Sequence, residues 1–230
     1  KKGATVINYC RATGFTKTNE KITAVECLDV LSEKKYTIKA KAIVNATGVF
    51  TNAVVQMDEP LQDDLVSPSQ GIHLVIDAKF FPGIDAMMIP KTDDGRVLFA
   101  VPWHDVVVVG TTDTEVNNIS IEPKASDQEI DFILSNAEKY MTRKPKRSDV
   151  KSVFAGLRPL ISKENKSSKS LSRKHTIYKS KKGVYHLLGG KWTTYRKMGR
   201  DVLELIASTG QLKFEPSKTE ELRIFGYKSN

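Results

Sequence analysis

Gly183-Val184-Tyr185-His186-Leu187-Leu188-Gly189-Gly190-Lys191-Trp192-Thr193-Thr194-Tyr195-Arg196 reads as a strand that ends in two glycines and passes into a helix. Tyr195, Met198, Val202, Leu205 and Ile206 then recur at helical spacing on one face. A strand, a tight glycine turn and a helix make an α/β unit. The N–H groups at a helix start have no intrahelical partner, and the macrodipole there favours negative charge. Glycines let a flat or bulky ligand reach the backbone. Read locally, the run is either an anion- or dipole-binding site or an ordinary glycine turn before a capped helix.

The chain before this unit is richer in strands. Ala4 to Cys10, Ile22 to Leu31 and Tyr36 to Ala40 alternate, with turn signals at Ala12-Thr13-Gly14 and Ser32-Glu33-Lys34. Ala42-Ile43-Val44 leads into the small-residue turn Asn45-Ala46-Thr47-Gly48, and Thr51 to Met57 reads as a short helix. Further strands are expected at Ile72 to Ile76, Asp105 to Gly110 and Val153 to Leu160, with a hairpin around Asp93-Asp94-Gly95. Ser126-Asp127-Gln128-Glu129 is a capping box, followed by Ile130, Ile133, Leu134, Ala137, Tyr140 and Met141 at helical spacing. Lys163 to Ser170 is polar and reads as a mobile loop. Hairpins with two clear helices and one α/β unit predict an α+β fold with a mixed or antiparallel sheet.

The 230 residues are 40% apolar and 27% charged, ordinary values for a globular chain long enough to bury a sizeable core. The longest aliphatic run, Val106 to Val109, is far short of the roughly 20 residues that span a bilayer. The net charge of +9 points to a nucleic acid, an anionic membrane surface or a phosphorylated substrate. Zinc-finger spacing, a basic helical stripe and basic residues interleaved with aromatics are all missing, so nucleic acid is not expected. Cys10 and Cys27 lie in alternating runs without a CxxC partner and read as strand thiols of a reducing compartment. The four histidines are scattered, and no metal-ligand spacing occurs.

A set of motifs then appears in order: Asn45-Ala46-Thr47-Gly48, Gly71-Ile72-His73-Leu74-Val75, Phe99-Ala100-Val101-Pro102-Trp103, Gly110-Thr111-Thr112-Asp113, Gly156-Leu157-Arg158-Pro159-Leu160, Ser172-Arg173-Lys174-His175 and Gly189 to Arg196. Together they resemble the FAD-dependent glycerol-3-phosphate dehydrogenases over roughly residues 4 to 207. The resemblance implies a DAAO-like flavoprotein: an antiparallel-sheet substrate domain with remnants of the FAD-binding α/β domain. It implies FAD contacts at Ala46, Thr47 and Gly48, at Val6 beside the adenine, and at Gly190, Lys191, Trp192, Thr193 and Thr194 along the flavin. It divides the chain into a partial FAD-binding domain (1–49), a substrate domain (50–182), a return to the FAD-binding domain (183–212) and a linker (213–230).

The implied substrate is sn-glycerol 3-phosphate, oxidised to dihydroxyacetone phosphate, with electrons passed to a quinone. Phosphate recognition favours the planar fork of arginine, so Arg158 and Arg173 are expected at the substrate. Lys191 could reach a flavin or substrate oxygen. Removing the hydroxyl proton calls for a base that titrates near neutrality, and histidine is the natural candidate. His73, in an apolar strand, is read as that base or as a core residue, with His186 as the alternative. His104 and His175 are read as surface residues, and Asp113 as a group that orients a base or ends a strand.

The family's opening Gly-x-Gly-x-x-Gly unit, which holds the FAD pyrophosphate, is missing, and the chain does not begin with Met. The chain is therefore expected to be part of a longer protein and, in isolation, to bind FAD poorly and be inactive. The expected location is cytoplasmic, peripheral on the inner face of the membrane. Three alternatives stay open: an oxidase of the same fold that uses oxygen, an amino-acid oxidase of the wider superfamily, and a basic binding module without catalysis.

Overall fold

The computed structural model describes residues 3–162, 175–213 and 215–228. In chain order the elements are β1 (Cys10–Thr18), β2 (Lys21–Asp29), β3 (Lys35–Lys39), β4 (Ile43–Asn45), α1 (Thr51–Asp58), β5 (Val66–Asp77), β6 (Met87–Ile89), β7 (Leu98–Trp103), β8 (Val106–Gly110), β9 (Thr114–Glu115), α2 (Asp127–Ala137), β10 (Val150–Ile161), β11 (His175–Lys179), β12 (Val184–Gly189) and α3 (Tyr195–Ser208). This is the mixed α and β architecture with antiparallel sheets that the sequence predicts. Two compact units form, Lys1–Val66 with Ser172–Asn230, and Ser67–Leu171. The boundaries expected at 49/50 and 182/183 both fall inside the first unit, because α1 packs with β1 and β12, and β11 pairs with β12.

In the first unit β1, β2 and β3 form an antiparallel meander. Asn19 and Glu20 join β1 to β2 at φ of 48° and 64°, the two left-handed residues that a two-residue type I′ hairpin requires. The turn is here and not at Ala12-Thr13-Gly14, which lies inside β1 where the register shifts between Ala12 and Gly14. That glycine marks a bulge. The strand expected over Ala4 to Cys10 begins only at Cys10. Tyr9, at φ 56°, breaks the extended backbone, and Val6 is 93% exposed. Alternation makes a strand only where a ladder and a buried face support it.

The second sheet of this unit runs β11-β12-β4, antiparallel between β11 and β12 and parallel between β12 and β4. Helix α3 covers it. Val202 and Ile206 pack with Tyr185 of β12, which is completely buried, and with Ile177 and Leu205 around them. Tyr195, expected on this face, is exposed at the first turn.

The second unit is one sheet in the order β10-β5-β8-β7-β6, with β9 paired to the start of β5. Period-two alternation sorts its faces. Ile72, Leu74 and Ile76 of β5, Val107 and Val109 of β8, and Leu98 and Ala100 of β7 are buried on one side with Ile133 and Ala137 of α2. Complete burial of a side chain such as Ile133 contributes about 1.5–3 kcal/mol. The capping box is present: Ser126 Oγ accepts from Glu129 N, and Glu129 Oε2 accepts from Ser126 N. The helix stops at Ala137, so Tyr140 and Met141 lie beyond it, Met141 still buried in the core. His73, Phe99 and Val101 alternate onto the opposite face, where Phe99 and Val101 remain partly exposed.

Candidate functional site

Two of the sequence motifs meet in the first unit. Strands β4 and β12 are parallel, with Asn45 opposite His186. Asn45-Ala46-Thr47-Gly48 therefore leaves the carboxyl end of one strand, and Gly189-Gly190-Lys191 the carboxyl end of its neighbour. The region outside the carboxyl ends of parallel strands is where α/β sheets bind ligands.

Each turn has a specific lock. The side chain of Asn45, nearly fully buried, accepts from Thr47 N at 3.2 Å and Thr47 Oγ1 at 2.7 Å, and donates to the carbonyl of Thr51 at 3.2 Å. Its remaining amide hydrogen goes to His186 Nδ1 at 3.0 Å, 141 residues away in sequence. Because the amide can only donate, neutral His186 carries its proton on Nε2. Burial pushes the His186 pKa down, while the carboxylates of Asp58 and Glu59 pull it up. A completely buried imidazole tied to Asn45 fits a strand lock better than a catalytic base. Gly48 follows at φ 61°, with open space where a Cβ would be, so a flat ligand can approach its backbone. Such a cradle fits a flavin nucleotide.

At the second turn Gly189 and Gly190 have φ of 65° and 84°. A Cβ on Gly190 would run into Met198 of α3. Lys191 N donates to Thr194 Oγ1 at 3.1 Å, closing a single turn over Trp192–Thr194 before α3 begins at Tyr195. Lys191, Trp192 and Thr193 are exposed, and Trp192 leans against Tyr195 with ring centroids 5.9 Å apart. His175, read as a surface residue, is mostly buried and places Nε2 2.8 Å from Asp201 Oδ2, joining β11 to α3 beside the glycine turn. Val6 lies in the irregular start of the chain. Arg173 and the expected loop Lys163 to Ser170 lie outside the described residues.

The second unit gathers Arg158, His73 and Asp113 on the sheet face opposite α2. The Arg158 guanidinium lies directly over Gly71, in the space a Cβ would need. Nη1 donates to the Thr112 carbonyl at 3.1 Å and Nη2 to Thr111 Oγ1 at 2.9 Å, with Asp113 Oδ1 3.7 Å from Nη1. Asp113 is held in turn by Ser69 Oγ. His73, two residues along β5 from Gly71, is stacked on Phe154 at 5.0 Å and 10°, and its other side rests against Gly110. Burial pushes the His73 pKa below the ordinary value, and the nearby Arg158 charge lowers it further. Near neutrality His73 is thus an uncharged, half-buried imidazole able to take a proton. His104 is exposed on the β7–β8 turn.

Two groups were not singled out in the sequence. The sequence announces Glu129 only as a helix cap, yet its buried carboxylate also accepts from Gln70, Thr112 and Thr114. Asn45 stands in the sequence as part of a small-residue turn, and nothing there connects it to His186. Among the described residues no group of three or more His, Cys, Asp or Glu is placed to hold a metal ion. No helix among them is long and apolar enough to cross a membrane.

The sequence profile described as "FAD dependent oxidoreductase" matches residues 1–201. The mitochondrial glycerol-3-phosphate dehydrogenase of Bos taurus is 34% identical over 98% of this chain and 32% of its own length. The aerobic glycerol-3-phosphate dehydrogenase of Staphylococcus aureus is 36% identical over 98% of this chain and 42% of its own. The structure of the Bacillus halodurans glycerol-3-phosphate dehydrogenase complexed with FAD superposes with a TM-score of 0.80 at 32% identity, covering 93% of this chain and 41% of that one. The chain spans about a third of the length of the mammalian relatives it matches.

Proposed function

This chain belongs to the FAD-dependent oxidoreductase family, and we propose that the full-length protein carrying it oxidises sn-glycerol 3-phosphate to dihydroxyacetone phosphate. Bound FAD supplies the two-electron acceptor for the hydride leaving the carbinol carbon. The chain's own residues do the rest. Ala46, Thr47 and Gly48, and Gly190 through Thr194, contact the cofactor from the carboxyl ends of β4 and β12. The Lys191 ammonium supplies positive charge to a flavin or substrate oxygen. Arg158 binds the phosphate, joined by Arg173, and His73 removes the hydroxyl proton. Electrons pass on to a quinone. The +9 charge supports peripheral attachment to an anionic membrane surface on its inner face.

The observation that carries the substrate reading is the pairing of Arg158 with His73 on one sheet face. A fixed cation and a neutral base side by side suit a substrate with a phosphate at one end and a secondary alcohol to deprotonate. An amino-acid substrate asks for a carboxylate clamp and has no hydroxyl proton to remove. The test is steady-state kinetics of the natural full-length protein with Arg158→Met. The KM for glycerol 3-phosphate rises by about ten- to a hundredfold, the loss expected when a charge-assisted hydrogen bond is removed. An unchanged KM would remove Arg158 from the site. Reoxidation of the reduced enzyme by a quinone analogue against oxygen in a stopped-flow mixer assigns the acceptor.

A further inference from the structure

We propose that Glu129 is a positioning residue: through Thr112 it fixes the segment that orients Arg158, and so sets the enzyme's affinity for the phosphate end of its substrate. This rests on the reading of Arg158 given above.

The hydrogen-bond pattern goes beyond what a helix cap needs. A capping box needs only the reciprocal bonds between Ser126 and Glu129: Glu129 Oε2 accepts from Ser126 N, and Ser126 Oγ accepts from Glu129 N. Oε2 also accepts from Gln70 Nε2 at 2.8 Å. Oε1 takes no part in the cap. It accepts from Thr112 Oγ1 at 2.8 Å and Thr114 Oγ1 at 3.0 Å, from the segment between β8 and β9. Glu129 is only 5% exposed, and Gln70, Thr112, Thr114 and Ser126, which donate to its carboxylate, are all neutral. Burial works to raise its pKa, but the bonds from Ser126, Thr112, Gln70 and Thr114 outweigh that and hold the carboxyl below the usual range.

Thr112 is the link. Its hydroxyl accepts from Ile72 N at 3.0 Å, so its one hydrogen is directed to Glu129. The side chain is then fixed at both ends, between β5 and the start of α2. The carbonyl of the same residue accepts from Arg158 Nη1, and the hydroxyl of the preceding Thr111 accepts from Nη2. The chain Glu129–Thr112–Arg158 therefore runs from the buried helix start to the guanidinium on the other face of the sheet. Packing alone would not need a charged group here. A glutamine of the same shape would place its NH2 either against Ser126 N and Gln70 Nε2, which donate, or against Thr112 and Thr114, whose hydroxyls would have to turn from donating to accepting.

The test uses the natural full-length holoenzyme and its Glu129→Gln, Thr112→Val and Arg158→Met variants, each with FAD content and melting temperature recorded. Three quantities are read: kcat, the KM for glycerol 3-phosphate, and the inhibition constant of inorganic phosphate as a probe of the anion site alone. With Glu129→Gln the KM and the phosphate inhibition constant both rise about three- to tenfold, the range of one net hydrogen bond, while kcat stays within about twofold. Thr112→Val gives the same split, and Thr112→Ser, which keeps the hydroxyl, recovers most of the affinity. A purely structural role would lower melting temperature and active fraction without moving the phosphate constant of the folded enzyme. That outcome, or a fall in kcat at constant KM, overturns the proposal. If Glu129→Gln does not fold, Thr112→Val against Thr112→Ser decides by the same readout. If Arg158→Met itself leaves both constants unchanged, the Arg158 reading fails; if Arg158→Met raises them and Glu129→Gln and Thr112→Val do not, only the present inference fails.

Discussion

The guanidinium of Arg158 occupies the space that a side chain on Gly71 would fill, so the glycine is a seat for the arginine. The clash from an added methyl falls on the far end of a flexible side chain, not on backbone. Gly71→Ala is therefore expected to keep the fold and displace Arg158. KM for glycerol 3-phosphate rises about tenfold or more while the melting temperature moves by only a few degrees. Kinetics and a thermal melt on the full-length protein check this; an unchanged KM would mean that the arginine's seat does not matter to binding.

Gly190 tests the cofactor side. Its φ of 84° and the Met198 side chain behind it both oppose a Cβ. Gly190→Ala forces a left-handed alanine, costing about 1–2 kcal/mol, and pushes on the turn that leads into α3. The expected result is a lower flavin-to-protein ratio after purification together with a lower melting temperature. Full FAD content would argue that the turn does not contact the cofactor.

As the proposed base, His73 should set a kinetic pH limb. A base must be neutral to act, and burial together with Arg158 holds the His73 pKa below the ordinary value of about 6.5. kcat/KM should thus stay level as pH falls to about 6.5 and drop only below it. With Arg158→Met the limb should move up toward the ordinary value, although the absolute rate is lower. A pH–rate profile that does not shift, or one lost in His73→Gln only through KM, would assign the proton transfer elsewhere.

His186 sets a stability limb instead. Its folded pKa is lowered by burial, so the unfolded chain binds the proton more readily. Its neutral form stabilises the fold fully above about pH 6.5, and that contribution is lost as pH falls through the lowered folded value. Urea midpoints between pH 8 and pH 5 should decline below pH 6.5 in the wild type. His186→Leu should be weaker at pH 8, because Asn45 loses a partner, yet flatter across the range. Equal slopes would contradict the assignment.

Much of the fold was legible because periodicity and caps are local. Ser126 and Glu129 announced α2, and the alternation of Ile72, Leu74 and Ile76 announced β5. The glycine run marked the turn before α3 for the same reason, since glycine takes the positive φ that Gly189 and Gly190 both adopt at no steric cost. What escaped was long-range. Residues 4–9 alternate like a strand, but alternation does not reveal whether a partner exists. Gly14 looks the same in sequence whether it bends a turn or a bulge, and only the pairing of β1 with β2 decides. Among the candidate groups, Arg158 and His73 were found from residue type and motif, and their neighbourhood on one sheet face follows from strand order β10-β5-β8. His175 looked exposed because its partner Asp201 lies on a helix 26 residues later.

Anaerobic reduction of the flavin in the natural full-length protein tests the account most directly. Mixed with sn-glycerol 3-phosphate in the absence of oxygen, the oxidised flavin absorbance should bleach with saturable kinetics. Glycerol, which has the alcohol without the phosphate, should bleach it far more slowly, and Arg158→Met should remove most of that difference. A flavin that glycerol 3-phosphate leaves oxidised, or that glycerol reduces equally well, would contradict it.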